Sequence, residues 1–174
     1  MLCLDLDETL VSSRAGCAPD GDFTIRFTAH NSEYVYSVIR RPGLGDFLLS
    51  LAELYELAIF TYSIKQYADQ IIQHIDQHNL IKYKFYREHC ARYKINDRQF
   101  IIVKDLSRIG VPMDRVLLVD NTKSAGMWQP NNFILVESFF GDPHDRQLEL
   151  ILPGLKKLAA KPSIYKELER KMRE

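Results

Sequence analysis

The sequence predicts an α/β fold in which a parallel β-sheet is flanked by helices and carries a small β-hairpin inserted after its first strand. Three observations predict it. Short apolar runs at residues 1–4, 57–60 and 116–119 have the length of buried strands rather than of helices. Stretches with apolar residues at helical spacing separate them, as expected when each crossover returns the chain to a parallel neighbour. Asp5-Leu6-Asp7 and Asp120-Asn121 follow two of these runs directly, and open α/β sheets place their chemistry at the carboxyl ends of strands.

The elements follow in order. After the first strand, Phe23, Ile25 and Phe27 alternate with Thr24, Arg26 and Thr28, and residues 34–39 form a second β-rich stretch beyond His30-Asn31-Ser32. These two make the expected hairpin, an insertion at about residues 12–40. Arg41-Pro42-Gly43 starts a helix at about Leu44, with Leu44, Phe47, Leu48 and Leu51 on one face. The strand at 57–60 comes next. The clearest helix carries Ile64, Tyr67, Ala68, Ile71, Ile72 and Ile75 in one stripe and is closed by Asn79. A short strand near Phe85, a turn at Asn96-Asp97 and a β-rich segment at 100–103 lead to the run at 116–119. A last strand covers 133–136, and two helices, at about 145–160 and 163–173, finish the chain. Neither repeats nor low-complexity stretches divide it, so residues 1–174 are expected to form one domain.

A chain of 174 residues, 46% of them hydrophobic, is large enough for one core. Lys+Arg and Asp+Glu each number 23, which leaves no basic field to grip nucleic acid, and direct nucleic-acid binding is not expected. The apolar runs fall far short of the roughly 20 residues that a membrane span needs, and no signal-peptide pattern opens the chain. Cys3, Cys17 and Cys90 are odd in number and lack paired spacing, which fits free thiols in a reducing compartment. A monomeric intracellular protein, nuclear or cytoplasmic, is expected. Only Leu2, Cys3 and Leu4 separate Met1 from Asp5, which points to preceding sequence in the full protein.

Asp5 and Asp7 are two apart, so in an extended chain their side chains leave on the same side and converge on one ligand. Burying two carboxylates is costly without a cation or basic side chain beside them, so the pair marks a metal or acid/base site. The pattern gains weight from its setting: it ends an apolar strand, precedes Glu8-Thr9-Leu10, and is echoed by Asp120-Asn121.

In Asp5-Leu6-Asp7-Glu8-Thr9-Leu10-Val11 the sequence resembles the haloacid-dehalogenase-like phosphatases with a D-x-D-x-T signature. Within them it resembles the small RNA polymerase II C-terminal-domain phosphatases, the NLI-interacting-factor-like domain. Further matches occur in the expected order at Arg41-Pro42, Phe60-Thr61-Tyr62-Ser63, Tyr67-Ala68-Asp69, Tyr86-Arg87-Glu88, Lys104-Asp105-Leu106-Ser107-Arg108 and Asp120-Asn121. The resemblance implies a Rossmann-like core without a large cap domain. It implies a Mg²⁺-dependent phosphatase acting on phosphoserine or phosphothreonine of a phosphoprotein or phosphopeptide, with the polymerase C-terminal domain as a candidate substrate. Asp5 would be the nucleophile and Asp7 its acid/base partner, with Lys104 neutralising charge during transfer. Thr9, Thr61 and Arg87 are grouped with the substrate and phosphate, Thr9 also bracing the Asp7 loop. The ion would rest on the Asp5 carboxylate, the Asp7 carbonyl and Asn121, with Asp120 orienting Lys104 and the ion's water shell. Relatives specific for the polymerase tail hold a proline in a hydrophobic pocket on the inserted hairpin. Here Ala15 falls where that pocket often has an aromatic residue, Ile64 and Tyr67 are available for one wall, and the segment 90–103 is longer.

Competing readings are weaker. After Cys90 a tyrosine-phosphatase loop needs arginine six residues on, where Asn96 stands; His74 and His78 lack the intervening glutamate of a zinc helix, Ile75 taking its place; Gly43-Leu44-Gly45 has Leu48 where a dinucleotide loop needs its third glycine. Thr61 or Ser63 could cap the following helix, with Ser63 the better candidate, and Asp69 and Asp105 are assigned to helix surface or capping. The alternatives of another kind are a non-catalytic binding module like the mitochondrial import receptors of this fold, or a phosphatase of another protein or of a small phosphate ester. The retained carboxylates and Lys104 argue against the first, and the small insertion, leaving the cleft open to a peptide, argues against small esters.

Overall fold

The computed structural model describes residues 1–161 and Ser163; the helix expected at 163–173 lies outside them. The central sheet begins with β1 (Leu2–Leu4), whose three residues are fully buried. An antiparallel insertion follows, made of β2 (Val11–Ala15), β3 (Phe23–Ala29) and β4 (Ser32–Arg40). Then come α1 (Leu44–Ala52), β5 (Leu57–Phe60), α2 (Lys65–Ile75) and β6 (Ile81–Phe85). A second hairpin, β7 (Ala91–Asn96) and β8 (Gln99–Val103), precedes β9 (Leu117–Asp120), β10 (Phe133–Leu135) and α3 (Gln147–Ala159).

Five strands form the parallel sheet in the order β10-β9-β1-β5-β6. Leu4 pairs with Ile59 on one side and Val119 on the other, so Asp5, Phe60 and Asp120 reach the same edge of the sheet at the same level. That register converts three distant sequence positions into one crevice.

Each strand alternates its apolar residues between two cores. Leu2, Leu4, Leu57, Ile59, Leu117 and Val119 face a large core filled by the buried stripes of α1, α2 and α3. Cys3, Ala58, Phe60 and Leu118 face a smaller one closed by Leu106 and Ala125 from short 3₁₀ turns at Leu106–Arg108 and Lys123–Gly126. Helices thus cover one face and short 3₁₀ turns the other, so the parallel sheet is covered on both faces as expected. Gly126 permits this close cover, because a Cβ there would lie 2.1 Å from Phe133 Cγ.

The insertion has three strands, not two. Val11-Ser12-Ser13-Arg14-Ala15 carries little β propensity of its own and becomes a strand by pairing with Arg40 to Tyr36 of β4. The turn at His30-Asn31 takes φ of 49° and 60°, the left-handed pair that a tight hairpin requires. Likewise Asp97-Arg98 forms the turn of a full hairpin, β7 and β8, in which Asn96 pairs with Gln99 and whose first strand the sequence does not mark. Helix α2 stops at Ile75, not Asn79: Asp76 turns outward, and its carboxylate accepts from the amides of Leu80 and Ile81. Arg41, 1% exposed, locks the assembly. Its guanidinium forks onto Asp145, at 2.7 Å for both bonds, and donates to the carbonyls of Thr9 and Glu137.

Candidate active site

The loop after β1 is folded tightly on itself. Glu8 adopts φ 60°, a left-handed conformation costing about 1 kcal/mol or more for a residue with a Cβ. It is held by the Glu8 amide donating to Val11 O (2.7 Å), the Leu10 amide to Leu6 O (2.9 Å) and the Phe139 amide to Glu8 O (2.7 Å). The reversal leaves Asp5, Asp7 and Glu8 all lining one cleft of about 420 Å³.

At its floor Lys104 Nζ donates to Asp5 Oδ1 and to Asp120 Oδ2, each at 2.5 Å, with all three side chains nearly buried. Burial alone favours the neutral amine, but the two carboxylates outweigh it and hold the ammonium above the ordinary lysine value. Burial, with Asp5 adding repulsion, pushes the Asp120 carboxyl up. The other Asp120 oxygen accepts the Thr122 amide at 2.7 Å. Both oxygens of Asp120 are therefore engaged, one of them with Lys104, the neighbour it was expected to orient.

The second oxygen of Asp5 accepts from the Thr9 hydroxyl at 2.9 Å, and the same hydroxyl lies 3.1 Å from Asn121 Oδ1. Thr9 is fully buried and is not among the residues lining the cleft, and its hydroxyl links Asp5 to Asn121. Two oxygen donors, Asp5 Oδ2 and Asn121 Oδ1, are thereby brought together. Among the described residues no three His, Cys, Asp or Glu side chains gather as a metal cluster. A cation would rest on a mixed oxygen set of carboxylate, amide and backbone carbonyl.

Asp7 has different company. Ser63 Oγ donates to Asp7 Oδ2 at 2.7 Å, and the Tyr67 hydroxyl donates to Asp7 Oδ1 while lying 2.7 Å from Ser13 Oγ. Burial pushes the Asp7 carboxyl above the usual range, opposed by these two hydrogen bonds. Neither Thr61 nor Ser63 caps α2, whose N-cap is Ile64 without a side-chain bond. Thr61 Oγ1 instead accepts the Ser63 amide at 3.0 Å, facing the cleft. Arg87 stands at the mouth, its Nε on Tyr62 O at 2.9 Å and its guanidinium over the Tyr62 ring. Asp69 and Asp105 are surface and capping residues as expected, the first held by Lys65 and Tyr86, the second accepting the Ser107 amide.

The family model for NLI interacting factor-like phosphatases matches residues 1–165. The chain belongs to that family. Relatives in this phosphatase family include the probable C-terminal domain small phosphatase of Dictyostelium discoideum, 38% identical over 88% of this chain and 49% of its own length. Phosphatase Herzog of Drosophila melanogaster is 33% identical over 96% of this chain and 46% of its own. The chain thus spans about half the length of these relatives. In fold it is similar to the fission yeast RNA polymerase II CTD phosphatase Fcp1 bound to beryllium fluoride, with a TM-score of 0.64 at 20% identity, covering 99% of this chain and 54% of that one.

Sequence reasoning missed the parts that four residues play in holding the site. Glu8 accepts from Asn121 Nδ2 at 3.1 Å, Ser138 is 2.9 Å from the same nitrogen, and Ser63 and Tyr67 were given to capping and packing although they hold Asp7. Glu8 carried a signal, lying inside the D-x-D-x-T motif. Ser138 carried none, because a loop serine 17 residues from Asn121 has no spacing to mark it.

Proposed function

We propose that this chain is a Mg²⁺-dependent phosphatase that dephosphorylates phosphoserine or phosphothreonine in proteins through a phospho-Asp5 intermediate. The observation that carries the reading is the division of labour between two carboxylates in one cleft. Asp5 is pressed against a buried ammonium, whereas Asp7 is removed from it, raised by burial and held by two hydroxyls.

In this reading an Asp5 carboxylate oxygen attacks phosphorus as the bond to the seryl or threonyl oxygen breaks, and Asp7 gives that oxygen its proton. Water then attacks the phosphoryl group, Asp7 takes its proton, and the bond to Asp5 breaks to release inorganic phosphate. Lys104 compensates charge at Asp5 throughout, held in place by Asp120. Thr61 and Arg87 offer a hydroxyl and free guanidinium nitrogens to phosphate oxygens. The oxygen donors of Asp5, the Asp7 carbonyl and Asn121 fit a hard divalent ion, which when bound would supply the positive charge that lets two anions meet.

A protein substrate is favoured by a second groove of about 340 Å³ that shares Ser63 and Arg87 with the cleft. Phe27, Tyr34 and Tyr36 of the insertion and Ile64 and Tyr67 of the helix line it. Exposed Ala15 contributes nothing; the aromatic wall comes from β3 and β4 instead. An apolar residue next to the phosphoresidue would seat there, and the names of the relatives make the RNA polymerase II tail the substrate to test first.

Hydrolysis of a chromogenic phosphate ester, with Mg²⁺ and with a chelator, tests the chemistry. Turnover only with the metal is expected; a folded, metal-loaded protein that fails to turn over would instead favour the non-catalytic binding module. Tyr67→Phe gives a sharper check. Losing that hydrogen bond removes a stabiliser of charged Asp7, so its carboxyl rises further. Protonated Asp7 is needed to release the alcohol, and kcat/KM falls as pH climbs through its pKa. The alkaline limb is therefore expected to move to higher pH in Tyr67→Phe; a limb that stays put would take the pair out of the acid/base step.

A further inference from the structure

The hairpin of β7 and β8 borders the cleft and presents to it a row that the proposed chemistry leaves unused. Phe100, Ile102 and Lys104 alternate along one chain segment, so their side chains leave on the same side. Ile102 and Lys104 both line the cleft, and Phe100 continues the row outward at 50% exposure. Arg92 is the register partner of Ile102, and directly opposed residues of an antiparallel pair share a face. Its guanidinium lies over the Phe100 ring, 4.4 Å from the centroid. Stacking of this kind holds the planar fork of donors in place with its edge toward solvent. Among the described residues Arg92 makes no ion pair, whereas Lys94 on the same face is neutralised by Asp97 at 2.6 Å. Arg87, itself stacked on Tyr62, stands at the mouth of the same cleft. The row therefore offers a polypeptide leaving the cleft an aromatic surface and one uncommitted, oriented cation.

We propose that this face of the hairpin holds an acidic segment of the substrate chain, Arg92 taking the carboxylate of an Asp or Glu. Strands advance about 3.3 Å per residue, so that carboxylate would lie about two to four residues from the phosphorylated one. A carboxylate is favoured over a second phosphate because phosphate sites gather several arginines, and Arg92 is the one arginine in the two strands of this hairpin. The inference rests on the phosphatase reading and deepens it by naming a substrate feature.

The test compares phosphoserine peptides that carry Glu, Gln or a second phosphoserine two to four residues away, on either side, assayed on wild type, Arg92→Ala and Arg92→Lys. Wild type is expected to favour the Glu peptide over the Gln peptide by about three- to tenfold in kcat/KM, chiefly through KM, a preference that shrinks as salt is raised. In Arg92→Ala the ratio should fall to about one, and Arg92→Lys, which keeps charge but loses the planar fork, should lie between. The Gln peptide is the internal control for folding and chemistry. A preference absent from wild type, or one that survives in Arg92→Ala, overturns the inference, as does stronger selection for the second phosphate than for Glu. Failure of every peptide and of a chromogenic ester would instead bring down the phosphatase reading.

Discussion

Asp5→Asn is expected to lose turnover of a phosphate ester by on the order of 10⁴–10⁶-fold, the scale on which removing a covalent nucleophile disables other hydrolases. The substitution changes volume little and leaves the surroundings satisfied. An amide oxygen still accepts from Lys104 or Thr9, which bond Asp5 at 2.5 and 2.9 Å, and Lys104 keeps its contact with Asp120. Fold and thermal midpoint should therefore change little, which separates loss of chemistry from loss of structure. The measurement is single-turnover hydrolysis beside a thermal melt. Activity within tenfold of wild type in a folded variant would end the phospho-Asp5 mechanism. A dead variant that still binds phosphopeptide would place the defect in bond-making.

Much of this site is legible in the chain because its residues sit where regular elements end. Asp5 and Asp120-Asn121 follow apolar runs whose burial makes them strands, and the parallel register of Leu4 with Ile59 and Val119 brings them to one edge. Less legible is what depends on pairing. Val11 to Ala15 is a strand only because β4 lies beside it, and the first strand of the second hairpin, Ala91-Arg92-Tyr93-Lys94-Ile95-Asn96, is polar and exposed on nearly every residue. Roles also shift when a side chain must choose among neighbours. Thr9, Ser63 and Tyr67 are marked in sequence by motif, cap preference and apolar stripe, yet each spends its hydroxyl on a carboxylate of the cleft. No periodicity could show this, because the partners lie up to 60 residues apart.

Lys104→Met carries the other large effect, and it falls on stability as well as rate. The ammonium is the shared partner of two carboxylates, with side chains 9% and 1% exposed, so its removal leaves Asp5 and Asp120 facing each other with no cation between them. Breaking a buried pair in this way costs about 3–5 kcal/mol. For a chain of this size that corresponds to a fall of roughly 6–20 °C in Tm, measured with a chelator present so that no added cation substitutes. The pH dependence identifies the cause. Burial and repulsion already push the Asp120 carboxyl up in the folded protein, and without Lys104 nothing cationic opposes them, so its ionised form destabilises the fold at neutral pH. That penalty disappears as pH falls and the Asp120 carboxyl protonates, so the gap to wild type should narrow between about pH 7 and pH 4. A loss of mere packing would keep the gap constant over that range, and a variant as stable as wild type at pH 7 would mean that the ion pair contributes nothing net. Asp120→Asn added to Lys104→Met should recover part of the loss by removing one of the two charges, while turnover, which needs a cation at Asp5, stays low.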